Sequence, residues 1–154
     1  MNVRWTQKDL FFMQEALCEA KKAYEKNEVP IGAVIIDEEG KCIGKGHNQV
    51  EKEQCQIAHA ECQALLQATH TKNNWRLDGC TIFITLEPCT MCLAALRLSR
   101  VVRIVFGAYS PVFGYTQDKD SFLKIESTES FSIQGGLEKE ASEALLQDFF
   151  KKQR

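Results

Sequence analysis

The 154-residue sequence lacks the features of three specialised classes of protein. Its 19 basic and 21 acidic residues give a net charge of −2, so the chain has no basic surplus like that of dedicated nucleic-acid-binding proteins. No apolar run reaches the roughly 18 to 20 residues that a membrane-spanning helix needs. Residues 1–22 contain no clean apolar core followed by a small-residue cleavage site, as a signal peptide would. We therefore expect a cytoplasmic protein with no membrane segment.

The composition is that of an ordinary globular protein. Hydrophobic residues make up 44% of the chain and charged residues 26%, which argues against disorder. A chain of this length is predicted to form a single domain over residues 1–154 with a substantial core. The seven cysteines form no regular disulfide framework. Their odd number indicates a reducing compartment, with thiols that are buried or bound to metal.

Apolar periodicity predicts an alternation of helices and strands along the chain. The predicted elements are helix 8–26, strands 31–37 and 42–48 as a hairpin, helix 58–71, strand 80–86, helix 89–98, strand 101–108, a short strand at 131–134 and helix 137–152. Thr6 and Asp9 resemble a capping box at the start of the first helix. This order predicts an α/β fold, namely a three-layer α-β-α sandwich around a central mixed five-stranded sheet.

Two of these elements determine where the sequence motifs lie. The helix over 58–71 is predicted to turn one face towards the core, formed by Ala58, Cys62, Leu65, Leu66 and Thr69. The short connections around helix 89–98 predict a right-handed parallel crossover, with the near-continuously apolar strand 80–86 at the centre of the sheet. Two short motifs, HAE (59–61) and PCTMC (88–92), therefore fall at the N-termini of these two helices.

The first motif, PCTMC, places Cys89 and Cys92 three residues apart at the start of a helix. This spacing puts both thiols on one face of the helix. Unpaired backbone N–H groups and the positive end of the helix dipole lower thiol pKa values there and favour the thiolate that a metal requires. A redox-active C-x-x-C pair has the same spacing and position, so the two cysteines alone leave both interpretations open.

The second motif, HAE, adds His59, which begins a helix and can point towards the neighbouring helix end. With Cys89 and Cys92 it makes three ligands, the number found in a catalytic zinc site that keeps one position for water. One Zn²⁺ per chain is therefore expected. A structural zinc would need a fourth ligand, for which Cys62 is the nearest candidate, although its place on the apolar face favours a buried thiol.

Glu61 follows His59 by two residues, which is close enough to bring its carboxylate near the open zinc position. A carboxylate beside a zinc-activated water can take the proton of that water and deliver it elsewhere. We therefore predict Glu61 as the catalytic residue. The alternative is a first-turn glutamate that only stabilises the helix dipole.

Six segments together resemble the zinc-dependent nucleobase deaminases, in particular the bacterial tRNA-specific adenosine deaminases. They occur in the order of that family between Asn27 and Phe150: NEVPIGAVIID, GKGHN, AHAE, TLEPCTMCLAAL, SRVVRIVFGA and LLQDFF. The resemblance implies a cytidine deaminase-like fold, a homodimer, and hydrolytic deamination of adenosine to inosine at the anticodon wobble position of tRNA. Its partner would be the anticodon stem-loop, which offers unstacked bases.

The resemblance also implies roles for individual residues. His59, Cys89 and Cys92 would hold zinc, and Glu61 would be the proton shuttle. The positions implied in substrate binding are Asn48 through its side-chain amide, Ala60, Glu87 and Pro88 through backbone groups, and Phe149 near the RNA. A turn-capping role for Asn48 and core packing for Phe149 are the structural alternatives.

The sequence departs from the family pattern in the loop from Tyr109 to Asp120. Ser110 stands where the family usually carries an aspartate, and a Pro-Val-Phe run replaces small residues. These departures concern RNA recognition rather than zinc chemistry. They favour, as an alternative, a deaminase of free nucleobases or nucleosides of the guanine or cytosine type. A non-catalytic zinc module and a thiol redox protein are the remaining alternatives.

Overall fold

The computed structural model describes residues 3–119 and 127–154, so Asp120, the last residue of the divergent loop, lies outside the described residues. The helices are α1 (Gln7–Glu25), α2 (Val50–Glu53), α3 (Ala60–Lys72), α4 (Thr90–Leu98) and α5 (Lys139–Lys152). The strands are β1 (Gly32–Ile36), β2 (Cys42–His47), β3 (Thr81–Leu86), β4 (Arg103–Ala108) and β5 (Ser132–Gly135). The predicted α/β fold is confirmed.

The strands form one mixed sheet in the order β2-β1-β3-β4-β5. β1 pairs antiparallel with β2 and with β3, whereas β4 runs parallel to both β3 and β5. The predicted hairpin, the parallel crossover through α4 and the central place of β3 are therefore all present. The apolar run of β3 packs into the core on both faces of the sheet, because helices cover each face: Ile82 and Ile84 lie on one side and Phe83 on the other.

Alternation along the strands divides the core between the two faces of the sheet. One face packs α3 and α4 against Ile82, Ile84 and Ile104. The other packs α1 against Val34 and Phe83. Helices on both faces of a central sheet make the three-layer sandwich that the element order predicts.

The buried face of α3 differs from the predicted one. Ala60, Ala64 and Ala68 are fully buried, whereas Leu66 is 56% exposed. The reason lies in β2, where a Cβ on Gly46 would stand only 2.6 Å from the backbone nitrogen of Ala64. The backbone of α3 therefore rests directly on the strand, and only small side chains fit between them. Apolar periodicity instead favoured the larger side chains, which lie on the outer and lateral faces of the helix.

Two short elements were not predicted from the sequence. α2 is a single helical turn between β2 and α3. A 3₁₀ turn, Tyr115–Gln117, lies within the polar stretch after β4. Within the described part of the chain, none of the helices has the length and the apolar character needed to cross a membrane.

The start of α1 is tied to β4 by a partly buried ion pair. The two carboxylate oxygens of Asp9 accept hydrogen bonds from Arg103 at 2.7 Å and 3.2 Å. Asp9 also completes the predicted capping box with Thr6, which is confirmed. Burial of Asp9 opposes ionisation, but the hydrogen bonds from Arg103 and Thr6 outweigh it and hold the pKa of Asp9 below its usual range.

We expect Asp9→Asn to lower the free energy of unfolding at neutral pH by about 1–3 kcal/mol, because it removes a charged hydrogen-bond acceptor from the cap and from Arg103. A carboxyl whose folded pKa is depressed stabilises the fold above its unfolded pKa, near 4, and loses that contribution as pH falls through the folded pKa. The difference between wild type and variant should therefore shrink below about pH 4. Urea unfolding at a series of pH values measures it, and a pH-independent difference would contradict this account.

Candidate metal centre and active-site cleft

Both sequence motifs lie at one edge of the sheet. The carboxyl ends of β3 and β4 meet there, where Leu86 pairs with Ala108. His59 is the N-cap residue of α3, and Cys89 is the N-cap residue of α4, both with extended backbone conformations. An N-cap side chain stands at the mouth of its helix, beside the unpaired N–H groups of the first turn. Two helix N-termini therefore converge at the ends of the central strands.

The side chains of His59, Cys89 and Cys92 form a compact group. Their ligand atoms all lie within 4.8 Å of one another. The Nδ1 atom of His59 is 3.3 Å from the Cys92 sulfur and 3.8 Å from the Cys89 sulfur. A tetrahedral Zn²⁺ with one nitrogen and two sulfur ligands places nitrogen and sulfur about 3.5 Å apart, so the donor set and its spacing fit this ion.

The protonation tendencies of the group also suit metal binding. Hydrogen bonding from Cys92, reinforced by His59, outweighs burial and lowers the pKa of Cys89 to about 4. The Cys89 sulfur is therefore a thiolate at neutral pH, the form that binds metal. The same contact with Cys89 raises the pKa of His59. A cation between the two would replace this proton-sharing contact with two metal–ligand bonds.

Glu61 lies in the first turn of α3 and is buried, with only 5% of its surface exposed. Burial raises the pKa of its carboxyl to about 7. Glu61, His59 and Cys89 all line the same cleft. A carboxyl with a pKa near neutrality can both accept and donate a proton at physiological pH, which a first-turn glutamate in water would not do.

Cys62 is the nearest further thiol, and its sulfur lies 3.9 Å from that of Cys92. Within the described part of the chain, the group of mutually close ligand atoms contains His59, Cys89 and Cys92 but not Cys62. Three protein ligands beside a cleft are the arrangement of a catalytic zinc, whereas a structural zinc has four.

Two of the three metal-ligating candidates, His59 and Cys89, line a cleft of about 2080 Å³, and Cys92 is buried behind them. Pockets for small molecules have volumes of roughly 300–1,000 Å³, so this cleft exceeds what one nucleobase needs. Its walls come from the segment before β1, from the ends of β3 and β4, from the loop after β4 and from the end of α5. Tyr109, Val112 and Phe113 in the loop and Phe150 in α5 line it with large exposed side chains.

Asn48 lies on the cleft wall, directly after β2. Its side-chain nitrogen donates a hydrogen bond to the Val29 carbonyl at 3.3 Å, and its side-chain oxygen accepts one from the Val50 N–H at 3.2 Å. These bonds use one of the two N–H donors and one lone pair of the amide oxygen. The backbone therefore orients the amide and leaves it with the capacity to bind a further donor and acceptor.

The other residues that the family resemblance implied in substrate binding occupy different settings. Ala60 is the first residue of α3, and with Glu87 it lines the cleft. Pro88 is buried, and its carbonyl accepts a hydrogen bond from the Tyr115 N–H at 2.9 Å. Phe149 lines the end of the cleft, but it is 6% exposed and stacks edge-on against Tyr24.

Two buried carboxylates at the cleft were not singled out from the sequence. The oxygens of Glu28 accept hydrogen bonds from the Glu51 and Lys52 N–H groups at 2.8 Å and 3.0 Å and so hold the first turn of α2. The side chain of Glu87, for which only a backbone role was predicted, binds the loop after β4. Each is an acidic residue beside an apolar strand-forming segment. This position is the one sequence signal that could have identified the two carboxylates as buried.

Comparison with known proteins relates this architecture to a family. Residues 6–108 match the family model of the cytidine and deoxycytidylate deaminase zinc-binding region. The tRNA-specific adenosine deaminase of Bacillus subtilis (strain 168) is 43% identical over 148 residues, which cover 95% of this chain and 91% of that protein.

Solved structures agree with this relation. A tRNA:A34 deaminase studied for A-to-I editing at the wobble position of transfer RNA superimposes with a TM-score of 0.80 and 34% identity, over 88% of this chain and 99% of that chain. A guanine deaminase from Nitrosomonas europaea superimposes with a TM-score of 0.77 and 25% identity, over 96% of this chain and 86% of that chain.

We expect Cys92→Ser to weaken zinc binding at least about tenfold and Cys62→Ser to leave it unchanged, because only Cys92 belongs to the three-ligand group. Cys62→Ser is the matched control for Cys92→Ser, because the two sulfurs are neighbours. Zinc per chain is measured by elemental analysis of the purified variants. If Cys62→Ser lost zinc to the same extent as Cys92→Ser, a four-ligand structural site would replace the catalytic interpretation.

Proposed function

The chain belongs to the cytidine and deoxycytidylate deaminase family, and on this premise we propose that it deaminates adenosine to inosine at the anticodon wobble position of tRNA. The reaction consumes one water molecule and releases ammonia. The observation that carries the proposal is the three-ligand group of His59, Cys89 and Cys92 beside the buried carboxyl of Glu61, at the floor of a large cleft. The relatives named as tRNA-specific deaminases supply the substrate class.

We propose one Zn²⁺ per chain, held by His59, Cys89 and Cys92. When bound, zinc supplies the Lewis-acid activation that makes water a nucleophile at neutral pH. Glu61 takes the proton of the attacking water and delivers it to N1 of adenine while C6 is attacked. It then takes the proton of the hydroxyl group now on C6 and passes it to the amino group, so that C6 becomes the carbonyl carbon of inosine and the amino group leaves as ammonia. A carboxyl whose pKa burial raises to about 7 suits both directions of transfer.

Asn48 and the first turn of α3 are proposed to orient the nucleoside. The amide of Asn48 is fixed by the backbone on both sides and can donate to and accept from a base edge or a ribose. The N–H of Ala60 belongs to the unpaired first turn of a helix and is a donor for a ring nitrogen or an exocyclic oxygen. Orientation of this kind holds the reacting carbon beside Glu61.

Features of the cleft beyond the metal centre support an RNA substrate. Its volume is larger than one base needs. Lys151 and Arg154 line the end formed by α5, where they can neutralise phosphates. Phe113, Tyr109 and Phe150 present exposed aromatic side chains along the rim, and such rings stack on unpaired bases. These local groups explain how a chain with a net charge of −2 can bind an anticodon loop.

A homodimer and a cytoplasmic location are part of the proposal. The outer sides of α3 and α4 expose Leu66 and Leu98, the latter to 75%, and Met91 is partly exposed at the start of α4. α3 and α4 pack on the same face of the sheet, and exposed large apolar side chains on such a face are typical of a protein–protein interface. tRNA is a cytoplasmic substrate in bacteria, which supports the cytoplasmic location.

The second candidate is a guanine deaminase. The structural likeness to the guanine deaminase of Nitrosomonas europaea favours it, as does the departure of the Tyr109–Asp118 segment from the pattern of the tRNA-editing family. The two candidates share the proposed zinc chemistry and differ in whether the base arrives free or within an RNA loop.

We expect the wild-type protein to form inosine in an anticodon stem-loop with adenosine at the wobble position, and to leave guanine, cytosine and their nucleosides unchanged. Glu61→Gln should retain zinc and lower kcat at least about 100-fold, because the proton shuttle is lost. Glu140→Gln, which changes an exposed first-turn glutamate in α5, is the matched control and should have wild-type activity.

Mass spectrometry of all products measures these reactions together. Turnover of guanine with an untouched stem-loop would select the second candidate. Full activity of Glu61→Gln would remove the shuttle role, whatever the substrate.

We expect the wild-type chain of 17.5 kDa to have twice that mass in solution and Leu98→Glu to have the mass of a monomer. The added charge would be buried without a partner in the proposed interface. Phe11→Glu is the control, because Phe11 is also a large, exposed apolar residue but lies on α1, across the sheet. Size-exclusion chromatography with light scattering measures the masses, and a dimeric Leu98→Glu would exclude this surface.

A further inference from the structure

The side chain of Glu87 is buried between β3 and the loop after β4, and among the described residues its hydrogen-bond donors all belong to that loop. One carboxylate oxygen accepts from the Ser110 N–H at 2.9 Å. The other accepts from the Thr116 N–H at 3.1 Å and from the Thr116 hydroxyl at 2.6 Å. One carboxylate is therefore hydrogen-bonded to both ends of the segment Ser110–Thr116.

The same segment is fitted closely to Glu87 at Gly114. A Cβ at position 114 would lie 2.6 Å from one oxygen of the Glu87 carboxylate, so only glycine allows the backbone to approach this closely. The next residue, Tyr115, donates its N–H to the Pro88 carbonyl at 2.9 Å and packs edge-on against Phe106. The base of the loop is therefore held by the residues that lead directly into the cysteine motif.

A second contact joins the loop to α4. The hydroxyl of Thr90, the first residue of that helix, donates a hydrogen bond to the Asp118 carboxylate at 2.7 Å. The segment Tyr109–Asp118 is thus bound on both sides of the candidate zinc ligand Cys89.

The tip of the loop, in contrast, projects apolar side chains into water. Val112 is 66% exposed and Phe113 is 78% exposed, and both line the cleft. An aromatic ring that remains exposed to water contributes little to the stability of the folded monomer. It is, however, pre-organised to stack on a flat partner, because the backbone that carries the ring is held in place before binding.

We propose that the Glu87 carboxylate is a positioning residue that clamps the Tyr109–Asp118 segment and thereby fixes Phe113 as a stacking contact for an RNA base next to the target adenosine. The proposal rests on the proposed function for the identity of the ligand. The clamp itself depends only on hydrogen bonds within the chain. Glu87 acts through the loop and touches neither the metal group nor the reacting atoms.

The first experiment tests the clamp without any substrate. In Glu87→Gln a single acceptor oxygen remains, and the new side-chain N–H₂ faces a backbone donor, so Ser110 and Thr116 cannot both stay bonded. We expect amide hydrogen exchange at Ser110, at Thr116 or at both to be at least about tenfold faster than in the wild type, with zinc content unchanged. Asp9→Asn, which alters a buried carboxylate at the opposite edge of the sheet, is the control and should leave both amides protected.

The second experiment tests what the clamp is for. With the wobble-adenosine stem-loop as substrate, Phe113→Ala and Glu87→Gln should each raise KM about tenfold and change kcat much less, since stacking contributes to binding rather than to chemistry. The double variant should be no worse than Glu87→Gln alone, because both changes act through one contact. Thr116→Val removes one of the three hydrogen bonds and should give a smaller change in the same direction, which keeps the test available if Glu87→Gln does not fold.

Unchanged exchange at Ser110 and Thr116 in Glu87→Gln would overturn the clamp. Faster exchange with an unchanged KM, or additive effects of the two substitutions, would overturn the link to Phe113. A wild-type protein that leaves the stem-loop untouched would refute the proposed function and with it the stacking role. The exchange rates would still decide the clamp in that case.

Discussion

The His59 ring and the Cys92 sulfur lie 3.3 Å apart, although the two residues are 33 positions apart in the chain. Their contact joins the start of α3 to the start of α4. It exists because α3 rests on the glycines of β2, while the β3–α4–β4 crossover brings α4 to the same edge of the sheet. A larger residue at Gly46 would lift α3 and separate the donor atoms. The geometry of the candidate metal centre therefore depends on backbone-to-backbone packing some distance from His59, Cys89 and Cys92.

Three buried glutamates surround the cleft, and their surroundings give them different tasks. The oxygens of Glu28 and Glu87 are occupied by N–H and O–H donors of neighbouring loops, so these carboxylates organise the backbone. The carboxyl of Glu61 is buried beside the metal-ligating group, and burial moves its pKa to about 7, which makes proton transfer accessible. One side-chain type thus supports the walls of the cleft and, in the proposed function, also transfers protons at its floor.

The accuracy of the sequence-based predictions follows the range of the interactions involved. The strand hairpin and the Thr6–Asp9 capping box depend on contacts between residues near in sequence, and both were predicted. The β3–α4–β4 crossover joins residues farther apart, but it was predicted because connections of this kind follow a general rule. The buried face of α3 was predicted wrongly, because apolar periodicity favours large side chains and the close approach of β2 selects alanines. The path of the loop after β4 was not predictable, since it is held by a carboxylate more than twenty residues earlier.

The sequence by itself determined the alternation of helices and strands. It also placed His59, Cys89 and Cys92 at the starts of helices, and Glu61 two residues after His59. These depend on residue type and on spacings of a few positions, which act locally. Only the tertiary structure decided which thiols lie beside His59 and which face of α3 is buried. It also decided which buried carboxylates accept hydrogen bonds from loops and which one has a raised pKa. The physical reason is that these outcomes depend on distances between segments far apart in the chain and on how completely each charged group is removed from water.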